Sequence, residues 1–276
     1  MAEGTVTTGT RRFVPSEDAV LGRAGSENFS VASLVLGRAT RDHLIAIYGF
    51  ARLVDQLGDA VEGDRLAHLD WLEEEVERVY DGQPEHPLMR RLAPTVRACA
   101  MPRGPFVRLI DANRRDQRQT RYATYDDLVD YCDLSANPVG ELVLYVFGVA
   151  TAERIRLSDK VCTALQLLEH WQDVEEDYAN GRVYLPAEDL ERFGVAAGVF
   201  AGERYERLMA FEIERARRLL DEGAPLVGTL RGRARVAVAG YVAGGRAGLD
   251  SLAHGVRKAP GRARVAATLT TLVRGA

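Results

Sequence analysis

The sequence is poor in most of the residues that mark a protein class at sight. It has three cysteines, two tryptophans and ten prolines among 276 residues. Cys99, Cys132 and Cys162 are odd in number and far apart, so neither a disulfide framework nor a zinc-ligand spacing is present, and a reducing, cytoplasmic compartment is expected. Cys132 and Cys162 stand among apolar neighbours and read as inert core residues. No apolar run approaches the roughly 20 residues that a membrane-spanning helix needs. Residues 1–20 carry Arg11 and Arg12 with no apolar stretch behind them, so they read as a disordered tail and not as a secretory signal. A large charge of one sign is also lacking. The formal net charge of −4 argues against a nucleic-acid partner. From Arg231 to Ala276, however, nine Lys and Arg face one acid, Asp250. Such a stretch is either a solvated basic face or a surface for anionic lipid heads or a diphosphate, which leaves peripheral membrane contact open.

What is present is helix-forming material. The chain is 46% hydrophobic and 28% charged, enough to bury a sizeable core. Apolar residues recur at helical spacing, and strand-like alternation is scarce. Breakers such as Gly82-Gln83-Pro84, Asn180-Gly181 and Gly223 to Pro225 separate the periodic stretches. Helices are predicted over 27–36, 41–60, 64–80, 86–100, 104–119, 125–150, 158–179, 187–193, 202–221, 226–254 and 262–273. This is an all-α chain, with one helical domain over 21–276.

Two helices carry chemistry. In Asp42 to Ala60 the apolar positions run almost all the way round, as in a buried helix. Yet Tyr48, Arg52, Asp55 and Asp59 are spaced by four, three and four, so they share one face. Ionised groups cost several kcal/mol or more to bury alone. That face therefore either pairs internally, through Arg52 and Asp55, or lines a wet, charged cavity. In Val161 to Asn180, a second polar stripe combines Gln166, Glu169 or His170, Asp173 and Asp177. Carboxylates four residues apart suit Mg²⁺, which takes one or two carboxylates together with waters and phosphate oxygens. Two such pairs, on facing helices, would clamp a diphosphate and stabilise it as a leaving group. The spacing alone is weak: Asp126 and Asp130 share it, but they open a helix, where negative charge suits the dipole. The histidines show no metal-ligand spacing, and surface or capping roles are expected for all but His170.

With these flanks in view, the chain resembles the squalene/phytoene synthase family over nearly its whole length. Tyr48-x-x-x-Arg52-x-x-Asp55-x-x-x-Asp59 is similar to the family's first aspartate-rich motif. Gln166 through Asp177, with Gly181-Arg182-x-Tyr184-Leu185-Pro186, is similar to the second. Tyr131-Cys132 and Ala136-x-x-Val139-Gly140 match a segment bordering the family's hydrophobic channel. Glu27 to Ser33, Ser135 to Gly140 and Trp171 to Val174 look most like bacterial hydroxysqualene synthases of hopanoid biosynthesis.

The resemblance implies a single-domain isoprenoid-synthase fold with a central cavity. It implies two or three Mg²⁺ ions, a prenyl diphosphate substrate and no nicotinamide cofactor. Other hopanoid-pathway enzymes are implied as partners. In that branch presqualene diphosphate ionises, rearranges and is quenched by water to hydroxysqualene. Asp55, Asp59, Glu169, Asp173 and Asp177 are the implied metal ligands. Glu169 stands where family members usually have Asn, and Gln172 where condensing members usually have Arg. Losing that cation fits a site that handles one diphosphate and not two. Arg52 is the candidate diphosphate contact, since a guanidinium fork matches phosphate. Arg182 is either a second contact or a helix C-terminal cation. Tyr48, Tyr131 and Tyr184 are either simply packed or line the path of a carbocation. Phe29 and Val139 are expected in the channel wall, Ala136 and Gly140 to leave it room, and Gln166 and Tyr241 to complete the substrate-binding set. Pro138 should kink its helix, where Asn137 could hold the quenching water. Condensation of two prenyl diphosphates is the competing activity, and a non-catalytic binding module or a membrane-surface lipid carrier the competing class.

Overall fold

Helical periodicity becomes twelve α-helices and one π-helical turn over residues 36–256, which are the residues described by the computed structural model. Phe29, Glu27, the helices expected over 27–36 and 262–273, the N-terminal tail and residues 257–276 of the basic stretch lie outside the described residues. No strand forms among the described residues, where a single parallel bridge joins Arg121 and Val183. The described residues group into two compact units, one of residues 37–118 and the other of residue 36 with 119–256.

In the first unit, α1 (Arg38–Asp55) runs into a π-helical turn (Gln56–Ala60), followed by α2 (Arg65–Asp81), α3 (Pro87–Ala98) and α4 (Gly104–Asp116). Local sequence explains the punctuation. Asp64 caps α2 by accepting from the Ala67 amide at 3.1 Å, and Gly82 ends that helix in the left-handed region at φ 83°, where a Cβ would be strained. α1 packs on α3, and α2 packs on α3 and α4. Their shared core includes Leu53, Leu69, Leu72, Met89 and an edge-on Phe50–Phe106 pair 5.1 Å apart. His68, expected at the surface, is buried at the inner face of α2.

The second unit is organised around α7 (Ala152–Gln172). Beside it lie α5 (Tyr125–Ser135), α6 (Asn137–Val146), α10 (Glu203–Gly223), α11 (Leu226–Thr229) and α12 (Gly232–Ala253), with short α8 (Val174–Ala179) and α9 (Ala187–Phe193) between. Thr124 and Asp127 form a capping box at the start of α5, so Asp126 sits in a helix first turn, as its sequence context implied. The helix expected over 125–150 is two. α5 ends at Ser135, and Pro138 stands in the first turn of α6, where its missing N–H deprives no partner. The helix expected over 158–179 is also broken, at Asp173, and that expected over 226–254 is interrupted at 230–231. Small residues bring α12 close to its neighbours. A Cβ on Gly245 would lie 2.6 Å from Leu165, and one on Gly248 2.5 Å from Leu168. The Gly244 to Gly248 stretch thus serves helix packing.

Candidate active site

The first acidic pair is set by a change of helix type. Over four residues an α-helix advances about 40° beyond a full turn. Between Asp55 and Asp59 the backbone is π-helical instead, with the Val61 amide donating to Gln56 O, five residues back, at 3.0 Å. Each residue of such a turn advances by a smaller angle, so Asp59 falls short of a full turn from Asp55 and swings away from the Arg52 side. π-turns inside helices cluster at functional sites. Both aspartates are exposed, whereas Tyr48 is buried one turn ahead of Arg52. Arg52 Nη1 lies 3.8 Å from Asp55 Oδ2, the internal pair that the spacing allowed. Its Nε is buried and finds no hydrogen-bond partner among the described residues. A buried, cationic donor of that kind suits an anionic oxygen.

The second acidic set is built on a helix break. α7 stops at Gln172, Asp173 leaves the helical region at φ −105° and ψ 13°, and α8 begins at Val174. The ladder nearly continues through the break, since Asp177 N donates to Asp173 O at 2.8 Å. Asp173, Glu169 and Asp177 are therefore held close together in charge. Desolvation, aided by Asp173, raises the Glu169 carboxyl, although the residue is exposed. Asp177 is pushed up to about 6 by burial first and Asp173 second, against the opposing pull of Arg182. The Arg182 amide donates to Asp177 O at 2.8 Å. Gln172 is half-buried and adds no cation to the cluster.

Behind these acids lies an aromatic wall. His170 stacks on Tyr184 with ring centroids 3.6 Å apart and 14° between planes, and Tyr131 lies 6.0 Å from Tyr184 and 6.2 Å from His170. Tyr122 completes the group, 5.4 Å from Tyr131 and 5.8 Å from Tyr184. Burial chiefly, and then Arg182, pushes the imidazole down to about 3, so it is neutral. Gln166 Nε2 stands 3.2 Å from His170 Nε2, an amide donating to an unprotonated ring nitrogen. The neighbouring segment is fixed by Asn137, whose Oδ1 accepts from Thr163 Oγ1 at 3.0 Å and whose Nδ2 reaches Asp133 at 3.3 Å. Ala136 and Val139 are half-buried. A Cβ on Gly140 would fall 2.4 Å from Cys162 Sγ, so this glycine lets α6 approach α7. Burial pushes the Tyr241 hydroxyl up to about 12, with Cys162 near it adding to the shift. It likewise pushes the Cys132 and Cys162 thiols up to about 12 and 11, as inert core cysteines require.

Do these residues fit a metal? Among the described residues no group of three or more His, Cys, Asp or Glu converges as a self-sufficient site. Mg²⁺ takes few protein ligands and relies on waters and phosphates. The donors are all oxygen, and in the second set their mutual repulsion is what a cation would relieve. The residues fit. Tyr122, Asn113 and Gln117 were not singled out from the sequence. Tyr122 lies in a short non-helical stretch between motifs. The one available signal for the π-turn was Gly58, an isolated glycine inside a helical pattern.

Residues 23–270 match the squalene/phytoene synthase family, and the chain belongs to it. Among curated proteins, it is similar to a hydroxysqualene synthase of Rhodopseudomonas palustris, 37% identical over 172 residues that cover 61% of this chain. The chain spans 58% of that relative's length. A presqualene diphosphate synthase of the same organism is 32% identical over 191 residues, 68% of each protein. The fold is similar to the crystal structure of squalene synthase HpnC from Alicyclobacillus acidocaldarius, with a TM-score of 0.81 and 44% identity over 87% of this chain and 93% of that one. No helix among the described residues is long and apolar enough to cross a membrane.

Proposed function

We propose that the protein ionises presqualene diphosphate with the help of Mg²⁺ and releases hydroxysqualene and diphosphate. The observation that carries this reading is the acid-rich break at Asp173. It holds Glu169 and Asp177, both raised by burial and by Asp173, beside the neutral Gln172 and the His170–Tyr184 stack. Asp55, Asp59, Glu169, Asp173 and Asp177 would hold the metal, which when bound supplies positive charge for the departing diphosphate.

This chain's own residues do the rest. Arg52 offers its buried Nε–H to a phosphate oxygen, and Arg182 offers a second cation. The faces of Tyr131 and Tyr184 stabilise positive charge on the hydrocarbon. His170, neutral, keeps Tyr184 in place without adding a competing charge. Asn137, its amide oriented by Thr163 and Asp133, is the candidate to position the quenching water. Val139 and Tyr241 line the hydrocarbon path and the small Ala136 leaves it room, whereas Gly140 serves the close approach of α6 to α7. The similarity to a hydroxysqualene synthase supports the choice of substrate.

A second reading, head-to-head condensation of two prenyl diphosphates, is favoured by the similarity to a presqualene diphosphate synthase. Incubation with purified presqualene diphosphate, and separately with farnesyl diphosphate, decides between them. Hydroxysqualene and diphosphate are expected from the first substrate in the presence of Mg²⁺. Diphosphate release from farnesyl diphosphate alone sinks the reading. In the same assay Asn137→Ala should lower the ratio of hydroxysqualene to other products, and an unchanged ratio removes Asn137 from the water's path.

A further inference from the structure

The π-turn at Gln56–Ala60 has an external brace. Helix ends leave their last carbonyls without intrahelical donors, and here two side chains supply them. Gln117 Nε2 donates to Gly58 O at 2.9 Å, and Arg65 Nη2 donates to Asp59 O at 2.9 Å. The Gln117 amide is itself tied down, since it also donates to Asn113 O at 3.1 Å. On the same helix, one turn earlier, Asn113 is buried against the turn. A Cβ built on Gly58 would fall 2.0 Å from Asn113 Oδ1, so only glycine lets the turn sit this close to α4. The turn is thus capped from one side by Gln117 and seated on Asn113.

A π-turn is a rare backbone state, and these are the contacts that hold it. Its effect is directional. It decides where Asp59 points relative to Asp55, because a relaxation to α-helical winding would rotate Asp59 forward toward the Arg52 side.

We propose that Gln117, seated with Asn113 against Gly58, is a positioning residue for the first carboxylate pair and sets the affinity of that pair for Mg²⁺. The proposal rests on the reading of Asp55 and Asp59 as Mg²⁺ ligands. Both residues meet the turn at Gly58 and act through its backbone. Groups that orient metal ligands typically change affinity by about 10–100-fold when removed.

The test uses the full chain and Mg²⁺ itself, titrated calorimetrically in the presence of inorganic diphosphate. Gln117→Met keeps the side-chain length and removes the donor. Gly58→Ala pushes the turn off Asn113. Asp59→Asn serves as the reference, and thermal unfolding shows that each variant is folded. Both Gln117→Met and Gly58→Ala should raise the Kd for Mg²⁺ about tenfold or more. At saturating Mg²⁺ the KM for the prenyl diphosphate should stay near that of the parent, a split that general destabilisation does not produce. If Gln117→Met does not fold, Gly58→Ala decides by the same readout. Parent-like Mg²⁺ affinity in a folded Gln117→Met or Gly58→Ala variant, with Asp59→Asn weakened, overturns the role of the brace and leaves the ligand reading intact. Parent-like affinity in Asp59→Asn overturns both.

Discussion

The two aspartate pairs share one spacing in sequence and nothing of their backbone. Asp55 precedes a π-turn and Asp59 lies within it; both are exposed, Asp55 pairs with Arg52, and the turn is braced by donors from outside its helix. Asp173 sits at a helix break with Asp177 in the short helix after it, and Asp173 pushes the Glu169 and Asp177 carboxyls upward. The first pair's backbone is held by side-chain donors to the Gly58 and Asp59 carbonyls. The second stores electrostatic repulsion that a bound cation would discharge. One spacing is thus realised by two backbone devices, a braced π-turn and a charge-hungry helix break.

The strongest way to break this comparison is to neutralise one acid in each region. Asp59→Asn and Asp173→Asn should each cut turnover by about 10²-fold or more, the usual size for losing a group that acts on developing charge. Only Asp173→Asn should also lower the titration of neighbouring carboxyls. Asp173 raises both Glu169 and Asp177, so in the metal-free protein both should move down, as followed by carboxyl-carbon NMR. If Glu169 and Asp177 titrate unchanged in Asp173→Asn, the idea of stored repulsion is wrong.

Much of the fold was legible because helical periodicity and capping are local. The Asp64 and Thr124 caps, the Gly82 stop and the dipole role of Asp126 follow from neighbouring residues alone. The polar stripes were legible only as far as their helices run unbroken: the π-turn takes Asp59 off the shared face with Arg52, and the second stripe is cut at Asp173. The breaks were not. A tertiary contact between Gly58 and Asn113, 55 positions apart in sequence, holds the π-turn. Likewise, the interruption at Asp173 carries no proline or glycine to announce it. Pro138 was visible as a disturbance, but whether it bends a helix or starts a new one depends on what its neighbours pack against. His68 was misread because its helix buries an unexpected face. His170 and Tyr122 belong to an aromatic group assembled from three separate segments, which no single window of sequence contains.

A smaller effect sharpens what counts as an acid site. Elsewhere in the second unit Glu212 is fully buried, 3.5 Å from Arg215, which also holds Asp189 at 2.9 Å. Burial first, and Asp189 in addition, push Glu212 up to about 8 against the pull of Arg215. Like Asp177, it has a raised carboxyl near an arginine, but Arg215 lies 3.5 Å from Glu212 and also pairs with Asp189. The folded state therefore holds a proton that the unfolded chain gives up near the ordinary value of 4.5. Stability from this group is complete below that value and is lost as pH rises toward about 8, by at most about 1.4 kcal/mol per pH unit for one proton. Glu212→Gln should flatten that part of the stability–pH curve in urea unfolding, while Mg²⁺ affinity stays unchanged. A Glu212→Gln variant with weakened Mg²⁺ binding would erase the distinction between the two acidic clusters.

The smallest effect concerns Arg52, where pairing and function separate. Its partner Asp55 has a side chain 51% exposed at 3.8 Å, and ion pairs of that kind contribute about 0–1 kcal/mol. Arg52→Lys keeps the charge and loses the fork together with the buried Nε–H. Stability should therefore change by less than about 1 kcal/mol, measured by urea unfolding. Binding of inorganic diphosphate with Mg²⁺ should weaken several-fold, because lysine offers a point charge where a planar donor was seated. A loss of stability with diphosphate binding intact would reverse the assignment. Arg52 would then stitch the first unit together, and the anion would have to be held by the charge-hungry region alone.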